Sequence, residues 1–320
     1  GIIDPPQNHI QLIAQHFVRG TYARRQLEQQ VAEFFDNHFS TLLVEVYGFY
    51  LGQFPQCGQP ALPNCDPDFP NRALLYASTD EYNDTEAFRN LAFNGTFRDM
   101  MQQSAMSPAM IYYLDTYNNI GVAPNENYAR ELLELHTMDV DTYDHHDIED
   151  LARVFTGWNV CAKPIGATGP LDPCEFFFWR EGNEYVANFN IANHDCGSKM
   201  LFAGTPHETF IPDTCDGNGL PTAAGVNDVT LALDAIAGHD ATSRFISRKL
   251  IQKFVTENPT QGMIDDVVAA WNNPGNPNGA GDMREVLRAV LGLEEFRNPD
   301  LVRDKIKTPM EHTISALRGT

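Results

Sequence analysis

Between Ile10 and Phe39 the apolar positions Ile13, Phe17, Tyr22, Leu27, Val31, Phe34 and Phe35 recur at three- to five-residue intervals, broken at Gly20. That spacing predicts two consecutive helices. A loop follows over 53–69, and helical spacing returns over 86–101 and 108–117. Ser107 and Pro108 open the latter as a cap with proline in the first turn. Asn125 caps a segment running to about residue 137, and Asp144 caps another running to about residue 155. Residues 159–225 differ in kind: they are rich in Gly, Pro, Asn and aromatics, with strand-like runs at 175–179 and 185–189. Helical periodicity resumes over 228–237, 240–255, 262–271 and 283–293, and Thr308-Pro309-Met310-Glu311 is a capping box for a last helix. The pattern predicts a mainly α, multi-helix single domain carrying a long irregular, short-stranded insertion at 159–225.

Composition narrows the setting. A chain of 320 residues, 42% apolar, can bury a full core, and one elaborated domain over 1–320 is expected. Lys and Arg number 22 against 43 Asp and Glu, a net charge of −21 that argues against nucleic acid and anionic membrane surfaces as partners. The longest apolar stretch, 42–54, is interrupted by Glu45 and is shorter than the ~20 residues of a spanning helix, so no membrane insertion is expected. Six cysteines, at 57, 65, 161, 174, 196 and 215, all fall in loop-like stretches, and none forms a CxxC. Pairing between neighbours, Cys57–Cys65, Cys161–Cys174 and Cys196–Cys215, would staple those loops, although six cysteines allow 15 connectivities. Stapled loops point to an exported protein, secreted or on the cell surface. The opening Gly1-Ile2-Ile3 without Met, and the roughly two-turn helix at the other end, predict a processed piece of a longer chain.

Candidate chemistry concentrates in two places. Asn127, Arg130, Glu131 and Glu134 share one helical face, opposite Tyr128, Leu132 and Leu135. That face either meets water or, turned inward, sets an arginine among carboxylates able to orient a metal, a water or a substrate. The next helix places Ile148, Leu151, Ala152 and Phe155 together, pairs Glu149 with Arg153 at i,i+4, and ends on Gly157-Trp158, a C-cap glycine and a Trp suited to fold onto the core. His194-Asp195, in a loop between Asn193 and Cys196, is less readily explained by packing. His38, among Phe34, Phe35 and Phe39, reads as a core histidine. The cofactor is left open: a divalent metal would find ligands in His194, Asp195 and Glu131, but no HExxH or clustered Cys/His spacing demands one. No GxSxG elbow, phosphate loop, dinucleotide fingerprint or haem attachment motif is present.

The run Pro124-Asn125-Glu126-Asn127-Tyr128-Ala129-Arg130-Glu131-Leu132-Leu133-Glu134-Leu135-His136-Thr137, with Ala152-Arg153-Val154-Phe155-Thr156-Gly157-Trp158, closely resembles the bacterial family known as domain of unknown function 1800. Further echoes are Asn37-His38-Phe39, His194-Asp195 with Lys199, Arg244-Phe245-Ile246 with Arg248-Lys249-Leu250, and Lys307-Thr308-Pro309-Met310-Glu311. The resemblance implies a mostly helical, often exported protein and carries no activity. His145-His146 departs from the family pattern, as do the cysteine pairs and Asp139. Two functions are expected to compete. One is a hydrolase-like enzyme gathering Glu131, Glu134, Arg130 and Asn127 with His194 and Asp195 around a pocket. The other is a noncatalytic surface, adhesion or assembly module, self-assembling or binding an extracellular partner, in which the same residues form a buried network fixing helix packing.

Overall fold

Asn8 caps the first helix, α1 (His9–Tyr22), by accepting from the Gln11 N–H, and α2 (Gln26–His38) follows. The computed structural model describes residues 8–52, 68–164, 166–167, 169–172, 174, 183–298 and 306–319. The break between the two helices falls at 23–25, not at Gly20. Gly20 instead lies against the Ile314 side chain of the last helix, where a Cβ would stand 2.5 Å from Ile314 Cδ1.

The apolar stretch after Leu42 forms α3 (Leu43–Gly52), which the periodicity does not predict. The 86–101 segment is not one helix. It belongs to α4 (Phe69–Asn94), 26 residues long, and to α5 (Phe97–Ala105), parted where Thr96 makes a capping box with Asp99. The apolar periodicity starts only at residue 86, deep inside α4, because the buried side just upstream of it carries Asp80 and Asp84. The stripe Ala73, Ala77, Asp80, Asp84, Phe88, Ala92 recurs every three or four residues, but its middle members are carboxylates.

Ser107 caps α6 (Pro108–Tyr113) as expected. The 125–137 segment begins as α7 (Asn127–Glu131) and widens into a π-helix, Leu132–Thr137, in which the Met138 N–H reaches back five residues to Leu133 O at 2.8 Å. The wider turn brings Leu133, His136 and Thr137 inward and leaves Leu135 half exposed, against the expectation for Leu135. Asp144 opens α8 (His145–Val154) with a capping box to Asp147.

The insertion carries two antiparallel hairpins. β1 (Trp158–Pro164) pairs with β2 (Asn183–Phe189), Trp158 opposite Phe189, and β3 (Lys199–Leu201) pairs with β4 (Thr209–Ile211). Disulfides join Cys161 to Cys174 and Cys196 to Cys215, as neighbour pairing predicts. The third predicted pair, Cys57–Cys65, and the strand-like run 175–179 lie outside the described residues. Helices α9 (Asp228–Ala237), α10 (Asp240–Phe254), α11 (Gln261–Trp271), α12 (Met283–Gly292) and α13 (Pro309–Gly319) complete a mainly helical protein.

The main apolar cluster runs from Val31 on α2 through Phe88, Phe97, Phe155 and Ile246 to Leu287 on α12. A second, smaller cluster sits between α3, α4, α6 and β1, around Val46, Tyr50, Ala73, Ala77, Ile111 and Val160. The polar middle of α4 lies between stretches that feed the two. No helix among the described residues is long and apolar enough to cross a membrane.

Candidate functional site

Asp80 and Asp84 sit one turn apart on the inward side of α4, both buried. Burial withdraws water from each carboxylate, so each is supplied with a hydrogen-bond donor. The Tyr50 hydroxyl donates to Asp80 Oδ2 at 2.6 Å. The Ser107 hydroxyl donates to Asp84 Oδ2, and Gln103 Nε2 donates to Asp84 Oδ1 at 3.1 Å. The donors do not offset the loss of water: burial pushes Asp84 up from 3.8 to about 7, and Asp80 well above the usual carboxylate range.

Both aspartates line a cavity of about 450 Å³, within the size of small-molecule sites. Its other walls come from α5 (Gln102, Gln103), from Trp158 at the head of β1 and from Glu184 and Tyr185 of β2. Trp158 is 4% exposed, and neither its Nε1 nor the Tyr185 hydroxyl has a hydrogen-bond partner among the described residues. Among the described residues, no Lys, Arg or His lines the cavity. From the described residues an anionic ligand would therefore meet carboxylates, amides and rings. A neutral ligand with hydroxyl groups would find acceptors, amide donors and an aromatic face.

The residues singled out from sequence go elsewhere. Asn127 and Arg130 are exposed, while Glu131 and Glu134 are half buried. Arg130 pairs with Glu126 at 2.7 Å, not with Glu131 or Glu134. Among the described residues, no hydrogen bond or ion pair joins these four to His194 or Asp195. Likewise Glu149 pairs with His145 and His146 rather than with Arg153.

His194 and Asp195 anchor a second arrangement. His194 Nδ1 donates to Thr156 O at 2.9 Å and Nε2 faces Asp228 Oδ2 at 3.2 Å. Arg153 grips both oxygens of Asp195, Nε to Oδ2 at 2.8 Å and Nη2 to Oδ1 at 3.1 Å. Lys199 Nζ donates to Asp228 Oδ2 at 2.6 Å and to the Asp195 carbonyl. Glycines press against this pair because nothing larger fits. A Cβ on Gly225 would stand 2.4 Å from His194 Cδ2, and one on Gly121 would stand 2.9 Å from Asp195 N. Gly157, with φ +84°, turns the chain from α8 into β1 at a place where a Cβ would meet Asn190 O. The three metal candidates His194, Asp195 and Glu131 do not form a ligand set among the described residues, and the first two have their side-chain donors and acceptors taken up by Thr156, Asp228 and Arg153.

His38 is a core histidine as predicted: Nε2 meets His136 O at 2.9 Å, and burial lowers its pKa well below 6.5. His136 is held down to about 4 for the same reason.

Sequence reasoning missed Asp80, Asp84, Glu184 and Tyr185. A signal existed in α4: acidic residues spaced i,i+4 where an apolar stripe should continue. No curated protein and no solved structure matches the chain. Residues 74–320, from α4 to the end, match the family described as "Protein of unknown function (DUF1800)", and the chain belongs to that family.

Proposed function

We propose that the protein is an exported, hydrolase-like enzyme whose reaction centre is the Asp84 cavity, and that its substrate is neutral and rich in hydroxyl groups. The observation that carries this reading is a buried carboxyl with a pKa pushed up to about 7 in the wall of a ligand-sized cavity. At neutral pH such a group is present in both forms. The protonated form gives its proton to the leaving oxygen as the C–O bond breaks. The carboxylate takes a proton from the attacking water, whose oxygen completes the other product. Asp80, held by Tyr50 and pushed by burial well above the usual carboxylate range, resists carrying a second negative charge beside it. Export is supported by the two disulfides, which persist in oxidising compartments.

The test is hydrolysis of a panel of chromogenic neutral glycosides and esters, with Asp84→Asn compared against the unaltered protein. The expected result is turnover that falls by ~10²–10⁴-fold in the variant, with a pH limb near 7 in the parent. Absence of turnover across the panel, or equal turnover by both proteins, defeats the reading.

The noncatalytic surface, adhesion or assembly reading keeps one observation of its own. The motif residues Arg153, His194, Asp195 and Lys199 are engaged in a network, half-buried at Arg153 and Asp195 and fully buried at His194 and Lys199, that ties α8, β3 and α9 together. That role is compatible with catalysis at the α4 cavity.

A further inference from the structure

Glu126, His145 and Glu149 present one ligand atom each, all within 4.8 Å of one another, and no other such trio of His, Cys, Asp or Glu occurs among the described residues. We propose that these three side chains form a surface site for a divalent transition-metal ion, of which Zn²⁺ is the fitting representative.

The geometry comes from the start of α8. His145 and Glu149 are four residues apart and so lie on one helical face, and His145 Nε2 stands 3.4 Å from Glu149 Oε1. Two ligands bound tetrahedrally to zinc at its usual bond lengths are about 3.3 Å apart, so this pair already spans a coordination edge. Glu126, just before α7, supplies the third ligand from a helix that packs on α8. Capping by Asp144 fixes the first turn of α8 and with it the backbone of His145. His146 Nδ1 lies 3.0 Å from the other oxygen of Glu149, the place of an outer partner that orients a ligating carboxylate. Arg130, 2.7 Å from Glu126, balances one of the two carboxylates and leaves the other without a full counter-charge.

One imidazole and two carboxylates favour a borderline cation over Ca²⁺ or Mg²⁺, which prefer all-oxygen shells. Three protein ligands, two of them on the exposed face of α8, leave a coordination position open to water. The site is separate from the α4 cavity and stands or falls independently of the proposed hydrolysis.

Titration calorimetry of the whole chain with ZnCl₂, after chelator treatment and dialysis, tests the site. The expected result is saturable uptake that is weakened at least about tenfold by His145→Ala and by Glu149→Gln, unchanged by His312→Ala, and absent with CaCl₂. All three positions are exposed, so the fold is expected to tolerate each change. No uptake up to about 1 mM Zn²⁺, or uptake that His145→Ala leaves unaltered, overturns the proposal.

Discussion

Lys199 Nζ lies 2.6 Å from Asp228 Oδ2, with both side chains shut off from solvent. An ion pair in such a place gains little net stability over well-packed apolar residues, because desolvation opposes the attraction. Removing one partner is another matter, since it strands the other charge in the interior. Lys199→Met is therefore expected to cost ~3–5 kcal/mol, a fall in Tm of roughly 5–10 °C by calorimetry. The double variant Lys199→Met, Asp228→Leu should lose much less than the sum of the two single changes. A single-variant loss below about 0.5 kcal/mol would show that the pair is loosely held or wet.

Gly225 touches the same network from the other side. A methyl group there stands 2.4 Å from His194 Cδ2, and the ring is pinned at both nitrogens by Thr156 and Asp228. Gly225→Ala is expected to destabilise by ~2 kcal/mol or more through overpacking, whereas Gly217→Ala, with no atom near its Cβ position, should lie within about 0.5 kcal/mol of the parent. Chemical denaturation with matched slopes would measure both, and equal stabilities would refute the tight fit.

What the sequence makes legible follows from whether polarity and burial coincide. Caps at Ser107 and Asp144 act over two or three residues, so local sequence suffices to place them. The neighbour pairing of the insertion's cysteines was legible because Cys161–Cys174 and Cys196–Cys215 close short loops. Asp80 and Asp84 were not, since a period-3.6 reading takes aspartate as the wet side of a helix and here it marks the dry side. His194 looked functional for want of a packing reason. The reason lies 34 residues on in Asp228 and 38 back in Thr156, separations that no local pattern spans. The π-helical turn at 132–137 shifted the phase that placed Leu135 inside.

The two described disulfides close loops of 13 and 19 residues in sequence separation. Chain-entropy arguments give ~3 kcal/mol for a loop of about 15 residues. Replacing Cys196 and Cys215 together with Ser should lower Tm by roughly 5 °C or more, because the pair ties the loop after Asp195 to the segment that precedes the Gly225 turn. An unchanged Tm for the double variant would mean that Thr214, whose N–H donates to the Cys196 carbonyl at 2.8 Å, holds this loop alone.

Stability against pH separates the buried carboxyls from the buried imidazoles. Asp84 and Glu81 are both pushed up to about 7 by burial, so between pH 4 and 7 the folded chain keeps protons that the unfolded chain has released. Their contribution is fully present below about pH 4 and is lost as pH rises through 7. His136 and His239 run the other way: burial holds both down to about 4, so their contribution is present above about 6.5 and is lost as pH falls towards 4. The opposing slopes overlap, and the parent protein should show a shallow Tm profile between pH 5 and 7. Asp84→Asn removes one falling slope while its amide oxygen can still accept from Ser107. The variant's Tm relative to the parent should therefore climb with pH, from at or below the parent at pH 5 to roughly 3 °C or more above it at pH 8. A difference that stays constant across that range would mean that Asp84 ionises in the folded protein as it does in the unfolded chain, and the acid–base role proposed for it would go with it.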